Sequence, residues 1–381
     1  MEKNKRVLMA MSGGVDSSLA AALLKEQGYE VIGVTMRLWV SPDVEDEARH
    51  AGRGCCSLAA VDDARRVADK LEIPYYVLNF KEAFREKVVD YFVAEYQRGR
   101  TPNPCIACNR EMKFDLHFKK AWALGAPYIA TGHYARIVFD DYRNRWLLKK
   151  SADQAKDQTY ALYTMTQEQL AHTLFPLGGY RKEEVRQLAA DFGLGVAGKP
   201  DSQEICFIPD DDYRRFLQEE AGVEMLPGPI YDTAGRKLGT HLGLPFYTVG
   251  QRKGLGLAAG RPLYVVELDA ERNALIVGED GDVFAEGLLA EELNLLSLER
   301  LDGEVRLAAR VRYHGPEVGG RLSPLKDGKV RFDFDLPQRA VTPGQAVVFY
   351  DGELVAGGGV ISKALRNVPL HSNVNPGEAG R

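Results

Sequence analysis

The chain has 381 residues, 45% of them hydrophobic, which is enough for two or three globular domains with sizeable cores. No apolar run reaches the roughly 18 residues that a membrane span needs. The first residues, MEKNKRVLMAM, lack the layout of a secretory signal, so we expect no membrane association. The formal net charge of −5 repels nucleic acid, so any RNA binding must come from local basic patches.

The number of cysteines bears on the compartment. The chain has five, and an odd number in a chain of this length is not typical of a secreted disulfide framework. We therefore expect a reducing, cytoplasmic location.

Strand and helix patterns alternate over the first 200 or so residues. Apolar runs predict strands at 6–11, 30–36, 75–78 and 128–131. Amphipathic runs predict helices at 17–27, 59–71, 83–98 and 111–124. This alternation is typical of an α/β fold with a parallel sheet and helices on both faces, in which ligands bind at the carboxyl ends of the strands.

The turn between the first strand and the first helix has the sequence MSGGVDSS. Gly13 and Gly14 let the backbone approach an anion closely, and the N-terminus of the following helix supplies free N–H groups. Ser12, Ser17 and Ser18 add hydroxyl groups. The loop lacks the lysine of a Walker P-loop, so it is not built to hold a γ-phosphate for transfer. A Gly-Gly turn that binds no ligand is the alternative.

The second half of the chain has a different character. A hairpin is predicted at 138–150, and helical patterns return at 167–172 and 182–192. From Pro227 onward, short strands at 262–268, 274–278, 304–312, 330–335 and 346–350 alternate with turn residues. We predict a catalytic domain over 1–210, a small β-rich domain over 211–281, a β-barrel over 282–365 and a disordered polar tail over 366–381.

Two cysteines lie in the segment TPNPCIACNR. Its two prolines are expected to keep the loop extended before the next helix, which places Cys108 near the start of that helix. The helix N-terminus, Arg110 and Lys113 would then favour a reactive thiolate. Cys206 lies far along the chain in KPDSQEICF, and Cys55-Cys56 is interpreted as a small buried apolar pair.

Three separated thiols allow more than one chemistry. Structural zinc normally needs four ligands, and Cys105, Cys108 and Cys206 make three. Three thiolates could instead hold an iron–sulfur cluster with one open iron. Alternatively, two of them could transfer sulfur through a persulfide and a disulfide. The spacing does not choose between these alternatives.

The glycine-rich turn resembles the PP-loop of ATP pyrophosphatases, which adenylate a carbonyl-type oxygen and release pyrophosphate. The resemblance becomes more specific with the rest of the chain. The motifs SGGVDSS, TPNPCIACNREMKF, YIATGHYAR, AKDQTYALY, KPDSQEICFI, FYTVGQRKGLGL and VRYHGPE occur in this order. From about residue 6 to about residue 363, the chain resembles the tRNA 2-thiouridylase family.

The resemblance implies a Rossmann-like PP-loop domain, a central β-rich tRNA-binding domain and a C-terminal β-barrel. It implies ATP-dependent 2-thiolation of the wobble uridine (U34) in tRNA for Lys, Glu and Gln. ATP with Mg²⁺ adenylates the C2 oxygen, and sulfur then displaces AMP. The partners implied are the anticodon stem-loop of these tRNAs and a sulfur-relay protein or cysteine desulfurase.

The family's functional positions match residues of this chain. Cys108 matches the nucleophile and Cys206 the persulfide carrier, and we expect Asp16 to bind magnesium, position water or cap the helix. The ATP-site positions are Ala10, Met11, Ser12, Gly13, Gly14, Val15, Asp16, Ser17, Met36 and Gly132. The tRNA-contacting positions are Asn103, Pro104, Cys105, His133, Lys156, Asp157, Gln158, Arg312, Tyr313 and Gln345. Without the resemblance, His133 would be an ordinary loop histidine, and Lys156 and Gln158 solvated residues.

This chain departs from the family pattern at Cys105, where many members have an aspartate. Either Cys105 only shapes the loop and Cys108 and Cys206 form a persulfide pair, or all three hold a [4Fe–4S] cluster. Two other functions compete with tRNA thiolation. One is an AMP-forming ligase of the amidotransferase type acting on a small molecule, and the other is a non-catalytic tRNA-binding protein.

Overall fold

The computed structural model describes residues 5–39, 58–200, 205–208, 210–258 and 260–366. The predicted pair Cys55-Cys56 and the predicted tail from residue 367 lie outside the described residues. Within the described part, no helix is long and apolar enough to cross a membrane.

The strands, in chain order, are β1 Arg6–Ala10, β2 Glu30–Arg37, β3 Tyr75–Asn79, β4 Tyr128–Ala130, β5 Ala135–Asp140, β6 Arg145–Lys150, β7 Thr173–Leu174, β8 Gly228–Asp232, β9 Lys237–His241, β10 Tyr264–Asp269, β11 Ala274–Gly278, β12 Phe284–Leu295, β13 Val305–Arg310, β14 Val318–Pro324, β15 Val330–Arg339, β16 Ala346–Asp351 and β17 Leu354–Leu365.

Several helices contain a π-helical stretch. The described helices are α1 Val15–Glu26, α2 Leu58–Lys70, α3 Lys81–Phe84 continuing through Arg85–Val89 and Asp90–Gln97, α4 Pro104–Cys108 continuing through Asn109–Leu116 and His117–Ala123, α5 Gln167–Ala171, α6 Lys182–Asp191, and α7 Tyr213–Arg215 continuing through Phe216–Glu220. Short 3₁₀ turns lie at Thr159–Ala161, Leu244–Phe246, Asp280–Val283 and Lys326–Gly328.

The N-terminal sheet has five strands in the order β3-β2-β1-β4-β7, and all its pairings are parallel. Parallel sheets are covered on both faces, and the central strand shows this, since Val7, Leu8 and Met9 are fully buried. Val7 and Met9 pack with α1, α2 and α6, whereas Leu8 belongs to the core on the other face. The predicted α/β fold with a parallel sheet is confirmed.

Helix α4 begins earlier than the sequence pattern predicts. We expected an extended loop up to residue 111, but the helix begins at Pro104, so this prediction was wrong. The Asn103 side chain accepts hydrogen bonds from the backbone N–H groups of Cys105 and Ile106. Proline is favoured at the first helical position because its missing N–H would have no partner there. Cys105 therefore lies in the first turn, and Cys108 one turn further on.

Two β-rich units follow, as predicted. The central sheet has four strands in the order β10-β11-β8-β9. The C-terminal sheet runs β12-β15-β14-β13-β16-β17 and closes into a six-stranded barrel through the pairing of β12 with β17.

The predicted hairpin β5–β6 is present, but it leaves the N-terminal sheet and joins the barrel. Lys149 on β6 pairs with Leu354 on β17. The packing agrees, because one hydrophobic cluster contains Leu8 and Val34 of the parallel sheet, Leu148 of the hairpin and Val348 of the barrel. The parallel sheet and the barrel therefore share a core, and the segment between β4 and β5 connects them.

Candidate functional site

The glycine-rich loop between β1 and α1 has a fixed backbone. Gly13 has φ +70°, and a Cβ added there would lie 2.2 Å from the Ala60 carbonyl oxygen. Gly14 instead has φ −97° and ψ 168°, an extended conformation that any residue adopts. A Cβ on Gly132, just after β4, would lie 2.8 Å from the backbone nitrogen of Ser17. The loop is therefore wedged between α2 and the end of β4.

The predicted ATP-site residues converge at one edge of the parallel sheet. Strand β1 ends at Ala10, β2 ends one residue after Met36, and β4 ends two residues before Gly132. Within the loop, Ser17 Oγ accepts from the Ser12 backbone N–H at 3.1 Å. The structure brings together all the predicted positions, which are Ala10, Met11, Ser12, Gly13, Gly14, Val15, Asp16, Ser17, Met36 and Gly132. Their role in binding ATP stays a prediction.

Asp16 has two partners that the sequence did not predict. The Lys182 ammonium donates to both carboxylate oxygens at 2.8 Å, and the Tyr134 hydroxyl donates to Oδ1 at 2.7 Å. Lys182 is 9% exposed and is the first residue of α6. A lysine at a helix N-terminus opposes the helix dipole, and this was the signal that could have indicated a special role.

A second lysine reaches the same loop. Lys199 Nζ donates to the Gly13 carbonyl oxygen at 3.1 Å and to Asp63 at 2.9 Å. No local pattern predicts this contact, because the two ends are 186 residues apart. Two ammonium groups therefore lie at the loop, and each is also paired with a carboxylate.

Magnesium at a nucleotide site is usually held by one or two carboxylates and by the phosphates themselves. Asp16 is the predicted magnesium ligand, but Lys182 and Tyr134 already donate to its oxygens. Its carboxylate therefore fits a water-mediated contact with nucleotide-bound Mg²⁺ better than direct coordination.

The three cysteines have different environments. Cys105 is exposed, Cys108 is buried and Cys206 is half-buried. Cys108 and Cys206 pack in one apolar cluster, which also contains Ala10 and Met36. These two residues lie at the edge of the parallel sheet where the predicted ATP-site residues meet, which we call the nucleotide edge. In the described residues, which include these three cysteines, no three His, Cys, Asp or Glu side chains are placed to hold a metal ion. The arrangement does not fit the [4Fe–4S] hypothesis.

The loop before α4 is docked on the barrel. Gln345 donates to the Thr101 carbonyl oxygen at 3.0 Å, and Thr101 N–H donates to the Pro343 carbonyl oxygen at 2.9 Å. Asn103 is used as the helix cap, and Pro104 is buried. Gln345 and Asn103 therefore fix the Cys105 turn against the barrel, in addition to any contact with RNA.

Two stretches that are predicted to contact tRNA lie side by side: 156–158, and 312–313 of the barrel. The Tyr160 ring, two residues after Gln158, lies 6.0 Å from the Tyr313 ring. Arg310 Nη1 at the end of β13 lies 3.9 Å from Asp157 Oδ2, and burial raises the pKa of Tyr313. Arg312 beside it is exposed. We call these residues, which are predicted to contact tRNA, the tRNA edge: Lys156, Gln158, Arg312 and Tyr313.

Asp157 and His133 are buried instead. Asp157 accepts from Ser151 N–H at 3.1 Å and Thr159 Oγ1 at 2.6 Å, and burial raises its pKa. His133 is 8% exposed, and its Nδ1 lies 2.6 Å from Thr131 Oγ1. Burial, with Lys113 nearby, holds the pKa of His133 well below its usual value, so the ring is neutral at physiological pH. These environments are those of structural residues, and their contact with RNA stays a prediction.

Family models match most of the chain. A tRNA methyl transferase HUP domain matches residues 5–210, a tRNA methyl transferase PRC-barrel domain matches 214–279, and an aminomethyltransferase β-barrel domain matches 285–361. One solved structure, a 4-thiouridine synthetase–RNA complex with bound ATP, is 18% identical with a TM-score of 0.37, over 58% of this chain and 52% of that one. This likeness is too low to carry an argument.

Named relatives align over nearly the whole chain. The tRNA-specific 2-thiouridylase MnmA 2 of Caldanaerobacter subterraneus subsp. tengcongensis is 57% identical, over 96% of this chain and 100% of its own length. The tRNA-specific 2-thiouridylase MnmA of Moorella thermoacetica is 59% identical, over 94% of this chain and 100% of its own length. This chain therefore belongs to the tRNA-specific 2-thiouridylase family.

Proposed function

We propose that this enzyme thiolates C2 of the wobble uridine in tRNA for Lys, Glu and Gln, with ATP activating the uracil and a cysteine persulfide supplying the sulfur. One observation carries the proposal. Cys108 and Cys206 share an apolar cluster with Ala10 and Met36 at the nucleotide edge, which supports a role for both thiols in the reaction at that edge.

The first step is adenylation. The uracil O2 attacks the α-phosphorus of ATP, the bond to the bridging oxygen breaks, and pyrophosphate leaves with the electron pair. The contacts of Lys182 with Asp16 and of Lys199 with Gly13 support a role for these lysines, with the N-terminus of α1, in stabilising the charge on the leaving group. Nucleotide-bound magnesium would supply further neutralisation of the pyrophosphate.

The second step is sulfur transfer. The terminal sulfur of a Cys206 persulfide attacks C2, the C2–O bond breaks, and AMP leaves. The Cys108 thiolate then attacks Sγ of Cys206, which leaves sulfur on the base and forms a Cys108–Cys206 disulfide. A cellular thiol must reduce this disulfide before the next turnover, and a sulfur-relay protein or cysteine desulfurase must reload Cys206.

The base must leave the anticodon stack to reach buried Cys108. The tRNA edge suits this, because Arg312 can contact phosphate and Tyr313 can stack on a base. The net charge of −5 makes such local contacts necessary.

The test is a thiolation assay on an unmodified tRNA-Glu transcript with ATP, Mg²⁺ and a cysteine desulfurase with cysteine as the persulfide source, using anaerobically purified enzyme before and after iron chelation. Mass spectrometry of the nucleosides should show equal 2-thiouridine from both preparations. Product only from iron-loaded enzyme would replace the persulfide route with a cluster. Pyrophosphate release that ignores tRNA would favour the small-molecule ligase, and no release at all would favour a pure tRNA-binding protein.

A further inference from the structure

Tyr134 contacts residues of two sites in the proposed reaction, the predicted ATP site and the tRNA edge. It lies between β4 of the parallel sheet and β5 of the barrel sheet, where the chain passes from one sheet to the other. Its side chain is 2% exposed, and its hydroxyl donates to Asp16 Oδ1 at 2.7 Å. The Tyr134 phenol therefore holds the Asp16 carboxylate in the first turn of α1.

The backbone of the same residue is held from the other side. Tyr134 N–H donates to Gln158 Oε1 at 2.9 Å, and Gln158 N–H donates to the Tyr134 carbonyl oxygen at 3.0 Å. Gln158 is itself a residue of the tRNA edge and lies at the start of the 3₁₀ turn Thr159–Ala161. A continuous chain of hydrogen bonds thus joins Asp16, Tyr134 and Gln158.

The segment that leads to Tyr134 is packed too tightly to absorb a displacement of its neighbours. Two residues before Tyr134, Gly132 packs so closely on α1 that a Cβ there would lie 2.8 Å from Ser17 N and 2.9 Å from Asp16 C. A shift of Gln158 on RNA binding would therefore move the position of Asp16. Packed elements of this kind carry coupling when both sites bias the same arrangement.

We infer that Tyr134 is a positioning residue that makes ATP cleavage depend on bound tRNA, by linking the tRNA edge to Asp16. The inference rests on the proposed function, because it assumes that RNA binds at Gln158 and Tyr313 and ATP at the loop. RNA at the edge fixes Gln158, Gln158 fixes the Tyr134 backbone, and the Tyr134 hydroxyl then holds Asp16 in its productive orientation.

The test compares pyrophosphate release with and without saturating tRNA-Glu transcript, and the ratio of the two rates is the readout. Tyr134→Phe removes only the hydroxyl, and we expect it to lower the ratio about tenfold, the effect of one hydrogen bond to a charged group. Gln158→Met breaks the middle of the chain without touching the phenol and should lower the ratio similarly.

Tyr160→Phe is the matched control, because this tyrosine is also buried and its hydroxyl donates to the Ala346 carbonyl oxygen of the barrel at 2.8 Å. It loses one buried hydrogen bond outside the chain that leads to Asp16, so its ratio should equal that of the wild type. An equal fall in Tyr160→Phe would show a general structural effect and overturn the inference.

A double-mutant cycle separates linkage from two independent effects. Tyr134→Phe combined with Gln158→Met should lower the ratio no further than the stronger single variant, because both substitutions break one chain. Additive losses would overturn the linkage. A wild-type enzyme whose pyrophosphate release ignores tRNA would instead contradict the proposed function itself, and so distinguishes the two failures.

Discussion

At the scale of single residues, the environments of the cysteines distinguish two sulfur chemistries. Cys105 is exposed on the first turn of α4, whereas Cys108 is buried with Cys206 in one apolar cluster. A persulfide route needs only the two clustered thiols. A cluster with three cysteine ligands needs Cys105 as well.

We therefore expect Cys105→Ala to keep 2-thiouridine formation within about threefold of wild type, as for most exposed substitutions. Cys108→Ala should lower it by a factor on the order of 10³ or more, because it removes a reacting group. Nucleoside mass spectrometry after single-turnover reactions with persulfide-loaded enzyme checks both variants. Equal loss in Cys105→Ala and Cys108→Ala would contradict the persulfide pair.

The two glycines of the glycine-rich loop, Gly13 and Gly14, differ in whether they tolerate a side chain. Gly13→Ala places a side chain at positive φ and 2.2 Å from the Ala60 carbonyl oxygen, whereas a Cβ on Gly14 meets only Ser12 Oγ, at 3.6 Å. We expect Gly13→Ala to lower the free energy of unfolding by about 2–4 kcal/mol and Gly14→Ala by less than about 1 kcal/mol. Urea unfolding without nucleotide measures this directly, and equal losses would contradict the close approach of Gly13 to α2.

Sequence reasoning succeeded at this site where the signal was local. The glycine-rich turn predicted the position of the loop because strand, turn and helix follow one another within about twenty residues. Lys182 and Lys199 were missed because they meet the loop from 166 and 186 residues away, and only the fold brings them there. Two lysines from distant elements thus lie at a loop whose own sequence has none.

At the scale of elements, α4 shows how a local signal can be misinterpreted. Pro102 and Pro104 favour an extended chain on sequence grounds, but Pro104 is the first helical residue and Asn103 its cap. Proline allows both interpretations, because its fixed φ suits an extended chain and a first helical turn alike. The capped helix places exposed Cys105 in its first turn and buried Cys108 about one turn further along the same face.

Helix α4 also contains a buried histidine that should make stability depend on pH. His117 is fully buried, and burial lowers its pKa to about 4. Unfolding lets the ring bind a proton at its ordinary pKa of about 6.5, so its contribution is complete above pH 6.5 and is lost as pH falls towards 4. Over that interval it amounts to about 3 kcal/mol.

Urea unfolding of the wild type and of His117→Leu between pH 7.5 and 4.5 tests this. The wild type should lose stability steeply below pH 6.5, and the variant should lose less, because the buried neutral ring is gone. His133 has a similarly lowered pKa and remains in both proteins, so part of the slope should persist. Parallel curves for the two proteins would show that His117 does not carry the effect.

At the scale of the whole molecule, the hairpin β5–β6 connects the parallel sheet with the barrel. Sequence pattern predicts the parallel sheet, the hairpin and the barrel as separate features, because each has its own periodicity. It could not predict that Lys149 pairs with Leu354, because strand pairing between distant segments leaves no local trace. The shared core places the tRNA edge between the parallel sheet and the barrel, so their relative position is part of the site.

A shared core should make the parallel sheet and the barrel unfold together. Leu148 on β6 and Leu296 just after β12 are both buried in the same cluster as Leu8. Leu148→Ala and Leu296→Ala should each lower stability by about 2–5 kcal/mol. Calorimetry should show both variants moving one common transition, with agreement of the calorimetric and van't Hoff enthalpies for that unit. Two transitions, each shifted by only one variant, would mean that the barrel unfolds as an independent unit. RNA binding would then have to assemble the tRNA edge, which would not be built into the fold.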